Sequence, residues 1–281
     1  MQKTIKQTAS CTGIGITGQT DSTVIFHPAP PDTGIVFIRE DLPGKPEVPC
    51  RPDYARVEAR WTSLVNNDIR IEHTEHLLAA IAGLGLDNLK VSVSSPFIPV
   101  VSSFSSRGFV QTLLQAGLVL QDRPKRCFHV KEPVCIINPF FHQEKRYDRF
   151  LLALPAPELT LTYLLDYPGK EIPTQLAQFS FDNSFDFASE LATARSYITE
   201  SEYETVFKLI GKSIEDCLIL AKGPVDLQWD NEPARHKVLD LLGDIHTMGR
   251  PVKGHFIGIR TGHKDNNQLC QKLQMQIKEV L

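Results

Sequence analysis

Between Pro233 and His263 the chain reads PARHKVLDLLGDIHTMGRPVKGHFIGIRTGH, and no other stretch restricts the possible folds as tightly. His236 and Asp240 stand four residues apart in an amphipathic pattern that predicts a helix over 235–246, so an imidazole and a carboxylate converge on one face. Asp244 continues that face, while Val238, Leu242 and Ile245 supply an apolar one. A stripe of His, Asp and Asp on a core-facing helix destabilises the fold unless something satisfies it. A divalent metal would. A solvated, charged outer face is the competing reading, and the HxxxD spacing alone does not separate the two. His263, just beyond the helix, is a third candidate for the same chemistry.

Arg70–Asn88, RIEHTEHLLAAIAGLGLDN, supplies the other half of such a site. Leu77, Leu78, Ala79, Ala80, Ile81 and Ala82 follow a polar entry and run into Gly83-Leu84-Gly85, the pattern of a buried helix over 74–83 with a glycine terminus. Glu75 and His76 lie at its polar beginning. A catalytic zinc commonly takes three protein ligands and keeps one position open, and His76 with His236 and Asp240 makes a set of that composition. Neutral imidazole and carboxylate suit zinc or ferrous iron. Glu75, adjacent to a ligand, is then placed to act as a base toward water.

The chain divides near its middle, at the polar, proline-marked joint Arg123-Pro124-Lys125-Arg126. Residues 1–122 carry strand-like runs at 23–26, 35–38 and 89–93, the helix 74–83, and a helix over 109–116. Residues 123–281 repeat the order of elements without repeating the sequence. Strands are predicted at 128–137, 150–154, 159–165, 216–220 and 256–260, with helices near 187–195 and over 235–246.

Three segments, TEHLLAAIAGLGLDN, RHKVLDLLGD and GIRTGHKDNNQL, closely resemble the signatures of the UDP-3-O-acyl-N-acetylglucosamine deacetylases, which carry out the committed step of lipid A synthesis in Gram-negative bacteria. Weaker matches in FHPAPPDTGIVFIRED, GFVQTLLQAGL and ATARSY extend the resemblance over nearly the whole chain. It implies an α+β fold of two similar domains, 1–122 and 123–281, each a sheet packed on helices as a two-layer sandwich. An insert in each domain and an active site between them are implied too. The implied metal ligands are His76, His236 and Asp240, holding zinc. Glu75 is implied as general base, and His263 as the cationic group that stabilises the oxyanion and helps protonate the leaving amine. Asp244 then orients His263 and favours its charged form. Lys237 is implied as a substrate contact, Tyr197 as a neighbour of the acyl passage where the family tends to have phenylalanine, and Ser196 as an oxyanion donor in place of the usual threonine.

Each assignment has a plainer alternative. Lys237 also reads as a solvated helix charge, Asp244 as a cap or surface pair, and Tyr197 as core. His27, His73, His129, His142, His246 and His255 read as structural or surface residues; for His73, three positions before a proposed ligand, facing the metal is the alternative.

Composition bears on class rather than chemistry. A chain of 281 residues with 42% hydrophobic content can bury a substantial core. Its net charge of −3 gives no general attraction to nucleic acid. There is no charged segment followed by an apolar run at the start and no apolar stretch of membrane-spanning length, so a cytoplasmic, soluble protein is expected. The family resemblance implies a small acylated UDP-sugar as its partner, and a monomer is expected. The six cysteines show no CxxC spacing and read as reduced.

The departures from the family pattern concern recognition. Ser102 and Ser103 replace an Asp-Gly pair in a loop that braces the site, and losing glycine there should alter the loop. GIGITGQT lacks the family's histidine. The insert Ile198–Ser213, which forms an apolar acyl tunnel in the family, looks shortened and carries Glu200, Glu202 and Glu204. Two alternatives therefore stand beside the deacetylase reading. One is a paralogous zinc amidohydrolase acting on another N-acetylated sugar nucleotide; the other is a non-catalytic binding protein on the same scaffold.

Overall fold

The structure, a computed structural model, describes residues 1–169, 172–182, 185–220 and 225–278. Two mixed sheets organise it. The first has the strand order Pro99–Val100, Ala9–Gly15, Asp21–Pro28, Leu89–Val93, Ile35–Arg39, Glu47–Pro49. The second runs Val134–His142, Lys145–Leu154, Val252–Ile259, Leu159–Leu165, Gln175–Ser180, with Phe128–His129 added alongside Val252 and Lys253. Neighbours in each are antiparallel apart from one long parallel pair: Ile35–Arg39 with Leu89–Val93, and Leu159–Leu165 with Val252–Ile259. A parallel pair requires a crossover connection, commonly through a helix. The crossover helices are Glu75–Gly83 in the first half and Glu232–His246 in the second. Both halves thus present an equivalent helix, and these are the two helices that carry the polar motifs.

Local sequence explains their ends. Glu75–Gly83 stops at Gly85, whose φ of +64° suits glycine, and the Leu86 N–H bonds back to the Ile81 carbonyl. Glu232–His246 begins with Pro233, which needs no N–H partner in the first turn. The two helices pack face to face and share one apolar core with both sheets, including Leu77, Leu78, Ile81, Val238, Leu239 and Leu242. Gly243 permits this closeness. A Cβ there would lie 2.8 Å from the Glu75 carbonyl carbon and closer still to its oxygen.

Two smaller units flank the crossing. A three-stranded sheet, Ala55–Glu58, Trp61–Asn66 and Ile69–Ile71, belongs to the first half. In the second half Tyr197–Thr199 pairs in parallel with Leu218–Leu220, and the helix Tyr203–Ile210 lies between them. Glu200 and Glu204 of this insert are exposed. Glu202 accepts from the Thr199 N–H and hydroxyl and pairs with Arg60. The glutamates therefore leave the apolar side of the insert intact. There Ile198, Val206 and Ile210 pack on Ile16, Trp61 and Phe104 in a second core cluster.

Three predicted elements differ. The strand expected at 128–137 is broken into Phe128–His129 and Val134–His142, with Pro133 between them lacking a ladder donor. The helix expected near 187–195 ends at Glu190. The backbone beyond it is used elsewhere: the Arg195 N–H donates to Glu232, and the Ala194 carbonyl lies 3.1 Å from His236 Nδ1. The strand expected at 216–220 narrows to Leu218–Leu220, preceded by a 3₁₀ turn over Gly211–Asp216. No helix among the described residues is long and apolar enough to cross a membrane.

Candidate metal centre

Where the crossover helices meet, His76, His236 and Asp240 come together, all buried, with one potential ligand atom from each lying within 4.8 Å of the others. Asp240 Oδ1 is 3.3 Å from Nε2 of both histidines. The Ala194 carbonyl can only accept, so His236 Nδ1 carries a proton and its Nε2 is the nitrogen turned to Asp240. Burial, foremost, holds His76 neutral by lowering its pKa to about 4. Asp240 Oδ1 makes no hydrogen bond although buried, while Oδ2 accepts from Lys237 Nζ at 2.8 Å. Burial alone would raise the Asp240 pKa, yet His236 and Lys237 outweigh it and keep the group a carboxylate. An ionised oxygen without a hydrogen bond, facing imidazole nitrogens, is the donor set of a divalent cation site. The Ala194 carbonyl on the far side of His236 is the outer partner such a ligand commonly has.

Glu75 and His263 flank this triad. The Glu75 Oε2 accepts from the Thr62 N–H at 3.0 Å, and Oε1 lies 4.0 Å from His263 Nε2. Burial, with Asp244 and Asp240 nearby, raises the Glu75 pKa to about 8. His263 opens the last helix, His263–Lys278, and its Nδ1 is 2.8 Å from Asp244 Oδ2. Burial disfavours its charged form, but Asp244, Asp240 and Glu75 outweigh that and raise its pKa to about 9. An acid-range carboxyl made basic and an imidazole made more so stand side by side, the pattern of an acid–base pair.

Lys237 and Tyr197 are adjacent, with Nζ 5.7 Å from the ring centre. Both line the same cleft as Ser196, a space of about 90 Å³ whose apolar lining includes Trp61, Phe104, Val206 and Ile210. Tyr197 is buried and its hydroxyl pairs with that of Tyr167 at 2.8 Å. The Ser196 hydroxyl has no partner among the described residues. His73, in a left-handed conformation (φ +63°), has its ring centre 4.9 Å from that of His76 and forms a second potential ligand group with Glu75 and His76.

Several contributors escaped the sequence reading. Thr62 holds Glu75 with its N–H and donates its hydroxyl to Asp244 Oδ1 at 2.6 Å. Asn266 donates to Asp244 Oδ2 at 2.8 Å. A lone threonine in a strand carries no local signal of such a role; Asn266 lies in a motif already singled out, three residues after His263. Glu232, fully buried, binds the Arg195 guanidinium and N–H and so ties the Ala194–Ser196 segment to the helix that bears His236.

The family model for UDP-3-O-acyl N-acetylglycosamine deacetylases, LpxC, matches residues 2–275. The chain belongs to this family. A UDP-3-O-acyl-N-acetylglucosamine deacetylase of Thermosynechococcus vestitus is 34% identical over 98% of this chain and 94% of its own length. One of Coxiella burnetii is 32% identical, with 97% and 89% covered. A bifunctional enzyme LpxC/FabZ of Chlorobaculum tepidum is 31% identical over 97% of this chain, which spans only 64% of that longer protein. Membership of LpxC makes the chain an enzyme, an amide hydrolase. The α+β character and the sheets packed on helices agree with it.

The loop that departs from the family sequence also takes an unusual backbone conformation. Ser102, Ser103 and Phe104 take φ of +48°, +58° and +51° in succession. Side chains bearing a Cβ pay about 1 kcal/mol or more each for that conformation. The loop delivers Phe104 into the cleft wall, edge-on to His73 at 5.5 Å.

Proposed function

We propose that the chain hydrolyses the N-acetyl group of UDP-3-O-acyl-N-acetylglucosamine with the help of zinc held by His76, His236 and Asp240. Residues 1–122 and 123–281 act as two domains, each lending one side of the site. The observation that carries the reading is the Asp240 oxygen, buried, ionised and without a hydrogen bond, facing the Nε2 atoms of two histidines between a basic carboxyl and a cationic imidazole. Bound there, zinc supplies a Lewis acid that brings the pKa of water toward neutrality.

The chain's own groups do the rest. Glu75, held by the Thr62 N–H, takes a proton from water as its oxygen bonds to the acetyl carbon. His263, kept charged by Asp244, faces the carbonyl oxygen as negative charge develops there, and the Ser196 hydroxyl, lining the same cleft, adds a second donor. The C–N bond then breaks, and the protons carried by Glu75 and His263 are available to the departing amine. Acetate and a free amino sugar result. Lys237 offers its charge to the polar part of the substrate, and the apolar wall of Trp61, Phe104, Val206 and Ile210, with Tyr197 beside it, suits the acyl chain.

The test is acetate release from UDP-3-O-(3-hydroxyacyl)-N-acetylglucosamine by zinc-loaded protein, beside Glu75→Gln and beside unacylated UDP-N-acetylglucosamine. Turnover of the acylated substrate, lost in Glu75→Gln with zinc retained, supports the reading. Equal turnover of both sugars moves the assignment to a paralogous amidohydrolase, the alternative that the changed Ser102–Ser105 loop motivates. Zinc uptake with no turnover of either leaves a binding protein.

A further inference from the structure

The peptide bond between Ala194 and Arg195 is gripped at both ends by one helix. Its N–H donates to Glu232 Oε1 at 3.1 Å, and its carbonyl accepts from His236 Nδ1 at 3.1 Å. Glu232 and His236 stand at positions i and i+4 of the helix Glu232–His246, so the peptide lies along one face and bridges one turn. Glu232, His236 and Ala194 are all buried. On the other side of the imidazole, Nε2 is the nitrogen turned to Asp240.

Glu232 does not cap its own helix. Among the described residues its donors are Arg195, through N–H, Nε and Nη2, and Gln228, through N–H and Nε2; none belongs to the first turn of the helix it opens. Burial opposes its ionisation, but Arg195 and the N–H groups of Gln228 and Arg195 outweigh it and hold its pKa below the ordinary range, so the group is a carboxylate. A peptide is a resonance system, and a carboxylate drawing on its N–H moves electron density onto its carbonyl oxygen. That oxygen then draws harder on His236 Nδ1–H, which makes Nε2 the better electron donor. Hydrogen bonds linked in a chain away from water strengthen one another in this way. Metal-holding histidines commonly have a carboxylate or a backbone carbonyl behind them, which raises their basicity. Here the two stand in series.

We propose that Glu232 is the outer partner of His236, acting through the peptide between Ala194 and Arg195, and that its charge strengthens His236 as a metal ligand. Glu232 is thereby a positioning residue, one that lies outside the cleft and acts on it through another side chain. This role rests on the reading of His76, His236 and Asp240 as a zinc site. Ser196 follows directly on the same peptide, so the clamp that tunes His236 also holds in place the residue whose hydroxyl lines the cleft.

The experiment compares ¹⁵N-labelled full-length protein stripped of metal and then loaded with zinc. In the wild type, zinc should move the His236 Nδ1–H and Arg195 amide protons downfield together, because electron withdrawal at Nε2 strengthens every hydrogen bond in the chain. Glu232→Gln keeps the shape and an oxygen for the Arg195 N–H but removes the charge. It should bind zinc about tenfold more weakly in competition with a chelator, the lower end of what losing an outer partner costs, and its zinc-loaded His236 Nδ1–H should lie upfield of the wild type. Gln228→Ala, which loosens the same segment and leaves the carboxylate, should keep zinc affinity within about twofold. An Arg195 amide that zinc leaves unmoved in the wild type overturns the proposal, and this measurement decides alone if Glu232→Gln does not fold. So does a folded Glu232→Gln with wild-type zinc affinity, or a Gln228→Ala that loses as much affinity as Glu232→Gln. A wild-type protein that takes up no zinc overturns the metal reading itself, and this role with it.

Discussion

Replacing Gly243 with alanine adds one methyl group at the point where the two ligand-bearing helices cross. By helix propensity alone the change stabilises, by about 1 kcal/mol. The tertiary structure reverses that sign. The new Cβ would lie 2.8 Å from the Glu75 carbonyl carbon and 3.0 Å from its Cα, inside the range that ordinary contacts reach. Those atoms are backbone and cannot rotate aside, so the helices must part by roughly 1 Å. Overpacking of this kind costs about 1–3 kcal/mol, and the upper part of that range applies where backbone meets backbone. Net of the propensity gain, the loss is about 2 kcal/mol, a fall of roughly 3 °C in Tm for a chain of this size. The larger effect falls on the site, because Glu75 and His76 move away from Asp240 and His263. A displacement near 1 Å in a catalytic constellation costs about a hundredfold in rate. Melting curves, zinc content and acetate release on one preparation measure all three. A Gly243→Ala protein that melts at or above the wild-type temperature with undiminished turnover would refute the reasoning.

Four further outcomes follow from the geometry. The rate should rise with pH as Glu75 ionises and fall as His263 loses its proton. Their pKa values of about 8 and 9 both move downward when a divalent cation sits beside them, so a rate still climbing above pH 9 contradicts the roles. Asp244→Asn should shift the alkaline limb to lower pH, since Asp244 is the chief group raising His263; an unmoved limb removes Asp244 from that function. Chelation of zinc should lower Tm together with activity, and His236→Ala should show no such chelator-dependent drop, because cation binding is coupled to folding only through an intact site. Ser103→Gly should raise stability by about 1 kcal/mol through relief of its φ of +58°, measurable as a higher urea midpoint at constant slope.

The sequence by itself determined the two helices that matter. Their apolar spacing and the glycine stop after Gly83 are local signals, because the residues that encode them lie within a few turns of each other. The polar positions Glu75, His76, His236, Asp240 and Asp244 were legible for the same reason, as charges set against an apolar pattern. Only the tertiary structure decided what meets what. It stops the helix expected near 187–195 at Glu190, because the backbone of Ala194 and Arg195 is committed to His236 and Glu232 on another helix. It recruits Thr62 to hold both Glu75 and Asp244, the latter 182 residues away. It turns Gly243 from a weak helix former into the condition for the crossing. Period and propensity are properties of neighbours along the chain, whereas a catalytic site is built from neighbours across it, and their pairing depends on packing that no local pattern encodes.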